Sequence, residues 1–151
     1  MEIQTKQLIL RRWRDTDTTP FIDLCSDADV MKYFVKPQSP DETLASVARI
    51  RQHFESHGYG VWAVEVPGVA DFIGFIGLQV QEFEAHFTPC VEIGWRLAKQ
   101  YWRQGFASEG AFAALRYGFD QLGLKEIVSM TVPDNIPSRG CLLYTSDAAD
   151  E

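Results

Sequence analysis

The sequence predicts an α+β domain, a three-layer α/β sandwich in which a mixed, mostly antiparallel sheet is flanked by helices. Three stretches carry that prediction. Gly60 to Val66 (GVWAVEV) and Phe72 to Val80 (FIGFIGLQV) are rich in β-formers and flank a Pro67-Gly68 turn, the pattern of a hairpin. Leu44, Val47, Ile50, Arg51 and Phe54 recur at steps of three and four, the period of an amphipathic helix. Val91 to Phe119 passes from an apolar strand through a glycine turn at Gly105 into a second amphipathic helix.

The elements follow in order. Lys6 to Trp13 (KQLILRRW) reads as a first strand, with Leu8, Leu10 and Arg12 sharing a face. Asp15 or Asp17 caps a helix through Leu24, with Pro20 confined to its first turn. Asp27 to Phe34 offers a short helical turn. Ser39, Pro40 and Glu42 form a capping box that starts the clearer helix, which Gly58 ends. The hairpin follows, and Gly74 and Gly77 in its return strand mark a bulge or a close backbone approach. After a polar loop through His86, Cys90 to Leu97 forms the next strand. A helix over 107–122 faces inward with Ala111, Leu115, Phe119 and Leu122, and Gly123 closes it. Ile127 to Val132 is a last strand, reached by a right-handed β-α-β crossover.

Composition narrows the classes. The chain has 151 residues, 46% hydrophobic and 23% charged, which suits one globular domain. No apolar run approaches the ~20 residues of a membrane span, and the N-terminus lacks a signal-peptide layout. The expectation is a cytoplasmic protein that does not bind membranes. A net charge of −7 argues against a nucleic-acid partner, which would need a basic face, and suits a cationic amine better. Cys25, Cys90 and Cys141 form neither an even framework nor a CxxC pair. His53 and His57 lie four apart, but HFESH is not HExxH and lacks a third ligand, so no metal is expected.

The turn at Gly105 is the candidate binding feature. Glycine lets the backbone come close to a bound group, and the free N–H groups opening the next helix favour an anion. Gly105 and Gly110 have the gap of a Walker loop, but Ala111 and Phe112 stand where Lys and Ser/Thr are required. No GxGxxG occurs. This argues against a nucleotide triphosphatase, while a turn that needs glycine for geometry alone stays open.

The residues EIGWRLAKQYWRQGFASEGA resemble the acetyl-CoA signature of the GNAT superfamily. LILRRW, GFIGL and VPDNIPS resemble, in the same order, its RimJ/RimL type, which acetylates ribosomal-protein amino termini. Trp102 departs from the general Q/R-x-x-G-x-G/A pattern in the manner of that type. The resemblance implies acetyl-CoA as co-substrate and an amine as acceptor, either a small molecule or a protein N-terminus. A homodimer is compatible with it. It also implies that Trp95, Arg96 and Leu97 bind the pantetheine arm through the main chain, and that Arg103, Gln104, Gly105, Ala107 and Ser108 surround the pyrophosphate. Arg103 and Lys99 could add charge near a 3′-phosphate, or Lys99 could be solvated surface. Asn135 and Ser138 match the N-x-x-S segment: Asn135 meets the cofactor arm, and Ser138 caps a helix or donates to the leaving thiolate.

Acetyl transfer needs a neutral amine, yet an α-amine titrates near ~8 and a lysine near ~10. A carboxylate or a water chain must take the proton. Glu92, an acid within the apolar run VEIGW, is the candidate base; a structural hydrogen bond or an outward-facing acid is the alternative. A main-chain N–H near Ile93 or Gly94 would meet the oxyanion. Trp13, Tyr33, Phe34, Tyr59 and Trp62 are either core or the walls of an amine pocket. A non-catalytic acyl-CoA-binding domain and an inactive fragment stand as rivals. The second arises because CLLYTSDAADE, residues 141–151, resembles a translated sequencing adapter. That implies an incomplete acetyltransferase domain over 1–140 followed by a non-native tail, without the family's C-terminal helix and last strands, where a general acid would be expected.

Overall fold

The hairpin that the sequence marks most strongly is the centre of the fold. In a computed structural model, which describes residues 2–34, 36–82 and 89–129, strands β3 (Val61–Val66) and β4 (Ala70–Gln81) pair antiparallel through the Pro67-Gly68 turn. On one side β3 pairs with β2 (Ile9–Arg11), and β2 with β1 (Ile3–Gln4). On the other side β4 pairs antiparallel with β5 (Cys90–Leu97), and β5 pairs parallel with β6 (Val128–Ser129). The described residues thus form a six-stranded mixed sheet in chain order, with one parallel pair. The loop through His86, the end of the last predicted strand, Asn135, Ser138, Cys141 and the 141–151 segment lie outside the described residues.

The first predicted strand, Lys6 to Trp13, is present as the shorter β2, and the two-residue β1 precedes it. Leu8 and Leu10 are buried as expected, but Arg12 is exposed, and Arg11 on the opposite face is the buried residue. The Arg11 guanidinium makes a bidentate pair with Asp17 (2.8 and 2.9 Å), and its Nε donates to Glu65 (3.1 Å). It also donates to the carbonyls of Arg12 and Asp71. A buried charge this fully satisfied holds three segments together. Asp17 therefore does not cap the following helix through its side chain; it takes Arg11 and the Arg14 N–H instead.

Helix α1 (Thr18–Ser26) buries Phe21, Leu24 and Cys25. Asp27 to Phe34 forms a short turn in which the Met31 N–H donates to the Asp27 carbonyl at 3.0 Å; Met31 is buried and Phe34 is exposed. Helix α2 (Pro40–His57) begins with the predicted capping box, in which the Glu42 N–H donates to Ser39 Oγ and the Ser39 N–H to Glu42 Oε1. Gly58, left-handed at φ 77°, ends it. Val47 and Phe54 face inward, but Leu44 is exposed and Thr43 is buried in its place.

Helix α3 (Phe106–Arg116) crosses from β5 to β6 and continues as a π-helical turn over Tyr117–Gln121. The wider turn is recorded by the Leu122 N–H bonding to the Tyr117 carbonyl at 3.1 Å. Ala111, ahead of this turn, is buried as expected, while Phe119, within it, is rotated to face solvent. Gly110 lets α3 lie on the sheet, since a Cβ there would stand 2.3 Å from Ile76 Cδ1. Among the described residues no helix is long and apolar enough to cross a membrane.

Candidate active site

Strand β5 organises the site, and its backbone alternation decides which groups are available. The Ala98 N–H donates to the Ile73 carbonyl at 2.8 Å, just past the end of the β4–β5 ladder. Alternate residues of an antiparallel strand direct both backbone groups to the same side. Arg96, Gly94 and Glu92 therefore turn their amides toward β4, whereas Leu97, Trp95 and Ile93 turn theirs to the opposite edge. An added strand would meet Trp95 and Leu97 but not the main chain of Arg96. The Arg96 main chain is thus turned to β4, and the Ile93 amide, which faces the other edge, lies where β6 pairs. The described pairing of that edge with β6 covers Glu92 and Ile93.

The turn after β5 is held from within. Trp102 Nε1 donates to the Leu97 carbonyl at 2.8 Å, and Gln104 Nε2 to the Gln100 carbonyl at 3.0 Å. The residue at the departure from the family pattern thus closes the turn with its indole, and it engages one of the two outward groups on Leu97. Arg103 and Gly105 both have positive φ, 62° and 81°. For a non-glycine residue that conformation is uncommon, and at Gly105 it suits the only residue without a Cβ penalty.

Helix α3 starts at this point with no side-chain cap. Its ladder begins where the Glu109 N–H meets the Gly105 carbonyl at 3.0 Å, so the N–H groups of Phe106 and Ala107 lie ahead of it. Arg103, Gln104 and Gly105 are exposed, and Ala107 and Ser108 are half-buried. Glu109, the acid of the first turn, is held away by Thr5 and Gln7: the Thr5 hydroxyl and the Gln7 N–H donate to Oε2, and Gln7 Nε2 donates to Oε1. Lys99 pairs with Asp29 at 2.5 Å.

Glu92 is half-buried on β5, opposite Gln79 of β4. Burial raises its carboxyl above the usual carboxylate range, opposed by a hydrogen bond from Gln81 Nε2 at 2.9 Å. Such a group is a better proton acceptor than a solvated acid. Arg96 lies two positions beyond Gly94 on the same face of β5. Its guanidinium carbon stands 4.6 Å from the Phe34 ring centroid and 5.2 Å from that of Phe75, and Nη1 donates to Cys25 Sγ at 3.3 Å. A separate cavity of about 220 Å³ between α1 and the end of β5 is lined by Leu24, Phe72, Ala98 and Tyr101 among others; neither Glu92 nor the 103–108 turn contributes to it.

Residues 7–143 match the family model described as an acetyltransferase (GNAT) domain. The chain belongs to the GNAT acetyltransferase family. YnaD of Bacillus subtilis, an uncharacterized N-acetyltransferase, is 30% identical over 138 residues, 91% of this chain and 77% of that protein. A GNAT-family acetyltransferase from Bacillus anthracis superposes with a TM-score of 0.79 at 27% identity, covering 96% of this chain and 82% of the other. RimL, a ribosomal L7/L12 α-N-protein acetyltransferase solved with coenzyme A, shares the fold at a TM-score of 0.76 and 16% identity, covering 96% and 82%.

Of the residues that a GNAT reading singles out, the structure places Glu92, Trp95 and Leu97 on one strand and Arg103, Gln104, Gly105, Ala107 and Ser108 on the turn and helix that follow it. Trp13, Tyr59 and Trp62 are core residues, with the Trp13 indole donating to the Val61 carbonyl and Trp62 against Tyr117. Phe34 alone of that group is largely exposed. Sequence reasoning overlooked the Arg96 side chain; its signal is an arginine between apolar neighbours in the run IGWRL.

Proposed function

We propose that the chain is an acetyl-CoA-dependent N-acetyltransferase of RimJ/RimL-like type acting on a primary amine. The observation that carries the reading is the uncapped start of α3 at Gly105, directly beyond the outward backbone edge of β5. A diphosphate fits that arrangement because backbone N–H groups and the helix dipole are what it requires, and Glu109 is already turned to the N-terminal hairpin. The residues proposed to hold the pyrophosphate are Arg103, Gln104, Gly105, Ala107 and Ser108. Trp95 and Leu97 offer outward backbone groups to the pantetheine arm. Asn135 and Ser138 are proposed, from their sequence match alone, for the cofactor arm and the thiol.

When bound, acetyl-CoA supplies the thioester whose acetyl group passes to the amine. Glu92 takes the proton that the attacking amine must lose, and burial, which raises its carboxyl, makes it a better acceptor than a solvated acid. The RimJ/RimL subtype rests on the order of its three sequence segments and is in keeping with the fold shared with RimL.

Replacing Gly105 with Val tests the reading. A branched side chain is strained at φ 81° and would crowd the cradle. Calorimetric titration should show acetyl-CoA binding to the wild-type chain and at least tenfold weaker binding to Gly105→Val. Thiol release with an amine panel should accompany binding; binding without release would favour an acyl-CoA-binding domain.

A further inference from the structure

Polar atoms that the fold leaves without partners gather on the α1 side of β5. Arg96 Nε, Thr43 Oγ1 and Gln38 Oε1 are all buried and make no hydrogen bond. Arg96 and Thr43 lie against the side chain of Cys25. Arg96 Nη1 donates to its Sγ at 3.3 Å, the Gln38 N–H to its carbonyl at 2.9 Å, and the Thr43 hydroxyl lies close enough to influence the thiol. Unmet buried polar groups cost about 1–3 kcal/mol each, so an unpaired guanidinium nitrogen calls for an acceptor. Arg96 is also the only guanidinium among the described residues with two aromatic rings against it, Phe34 and Phe75, which fix the plane of the fork.

The strand between Arg96 and Glu92 is bare. Gly94 separates them on the same face, and its cross-strand partner is Gly77. Among the described residues a Cβ at Gly94 would meet no atom within 4 Å. A trough therefore runs along β5 with the Glu92 carboxylate at one end and the Arg96 fork at the other. Four residues of strand span roughly 13 Å, a length that an extended tripeptide of about 10 Å plus an arginine side chain can bridge.

We infer that this trough is the acceptor site and that Arg96 selects acceptors bearing a carboxylate some three residues' length from the reacting amine, as in a short or acidic peptide. The inference rests on the acetyltransferase reading. An amine at Glu92 and a carboxylate at Arg96 would match both ends, whereas a polyamine would set a second cation against the guanidinium. A guanidinium whose plane is held between rings presents its remaining N–H groups to a carboxylate in a fixed direction, which makes Arg96 a specificity residue through its side chain, separate from its strand backbone.

The test compares acceptors on the 151-residue chain by thiol release. The panel is a neutral tripeptide with a free C-terminus, an amidated tripeptide with Glu third, an amidated neutral tripeptide and a diaminoalkane of equal length. Both carboxylate-bearing peptides should show KM at least tenfold below the neutral amide and the diamine. Arg96→Gln should erase that preference by raising KM for the carboxylate peptides. Gly94→Leu, at a position with ordinary φ and open space, should keep the thermal unfolding temperature and raise acceptor KM. Thiol release with equal KM across the panel, a diamine preference, a preference that survives Arg96→Gln, or an unchanged KM in folded Gly94→Leu would each overturn the acceptor inference and leave acetyl transfer standing. No thiol release with any amine would overturn both.

Discussion

Glu92 combines two demands that a single substitution separates. Its folded pKa is raised by burial, so the charged form is disfavoured in the folded protein. The sign follows from linkage: a raised carboxyl contributes stability below its unfolded value near ~4.3 and loses it as pH rises through the folded value. At neutral pH the charge is therefore a small cost. Glu92→Gln should unfold at the same or a slightly higher temperature than wild type at pH 7, because a glutamine oxygen can still accept from Gln81. Its kcat/KM should nevertheless drop about 10²-fold or more if it is the base. The wild-type rate should fall as pH drops through the raised pKa, and the variant should lack that limb. Unchanged turnover at every pH would remove Glu92 from the chemistry. The residue scale was also the least legible in the sequence. An acid in VEIGW is conspicuous, but nothing local distinguishes Arg11, which is buried against Asp17, from Arg12, which is exposed. Their difference is made by Asp17, Glu65 and Asp71, two of them more than fifty positions away.

Elements were legible where their signals were local. The capping box at Ser39 and Glu42, the Pro67-Gly68 turn and the left-handed glycines at Gly58, Gly105 and Gly123 all lie within a few residues of what they determine. Gly74 was legible as a close approach, and a Cβ there would stand 2.0 Å from the Arg96 carbonyl. The two-residue β1 strand carries no period to read, and the π-helical turn at 117–121 breaks the spacing that placed Phe119 inward. The C-terminus of α2 has a further device that its sequence did not announce. His53 is pinned through both ring nitrogens, with Nδ1 2.8 Å from the Tyr59 carbonyl and Nε2 accepting the Val80 N–H at 3.0 Å. The carbonyl requires the proton on Nδ1, so the ring is neutral in this arrangement. Burial lowers its pKa, and His57, with ring centroids 4.4 Å apart, lowers it further. A depressed histidine contributes stability above its unfolded value near ~6.5 and loses it as pH falls through the folded value. Urea midpoints measured from pH 7.5 to pH 5 should decline for the wild type, and His53→Gln should start lower and decline less. Parallel curves for the two proteins would show that the pin does not couple to pH.

At the scale of the whole molecule, the N-terminal hairpin meets α3 at Glu109. The β1–β2 turn lies far from α3 in sequence, yet Thr5 and Gln7 present three donors to one carboxylate in the first turn of that helix. These bonds hold the Glu109 carboxyl below the usual carboxylate range even though burial opposes them. Its contribution is therefore present above the unfolded value near ~4.3 and lost as pH falls through the folded value. The clamp also directs a negative charge away from the helix start, where the proposed diphosphate would sit. Glu109→Ala should thus have two separable effects. The N-terminal hairpin should come loose, with an unfolding free energy lower by about 1 kcal/mol, below the range for bonds to a charged group because this one is partly exposed, and faster amide exchange at Ile9 and Leu10. Acetyl-CoA affinity should change no more than a few-fold, because the cradle consists of backbone N–H groups that this side chain does not supply. Glu109→Gln, which retains an acceptor for Gln7, should fall between the two in stability. A tenfold or larger loss of affinity in Glu109→Ala with the hairpin still protected would mean that the acid positions the cradle itself rather than fastening the sheet edge to α3.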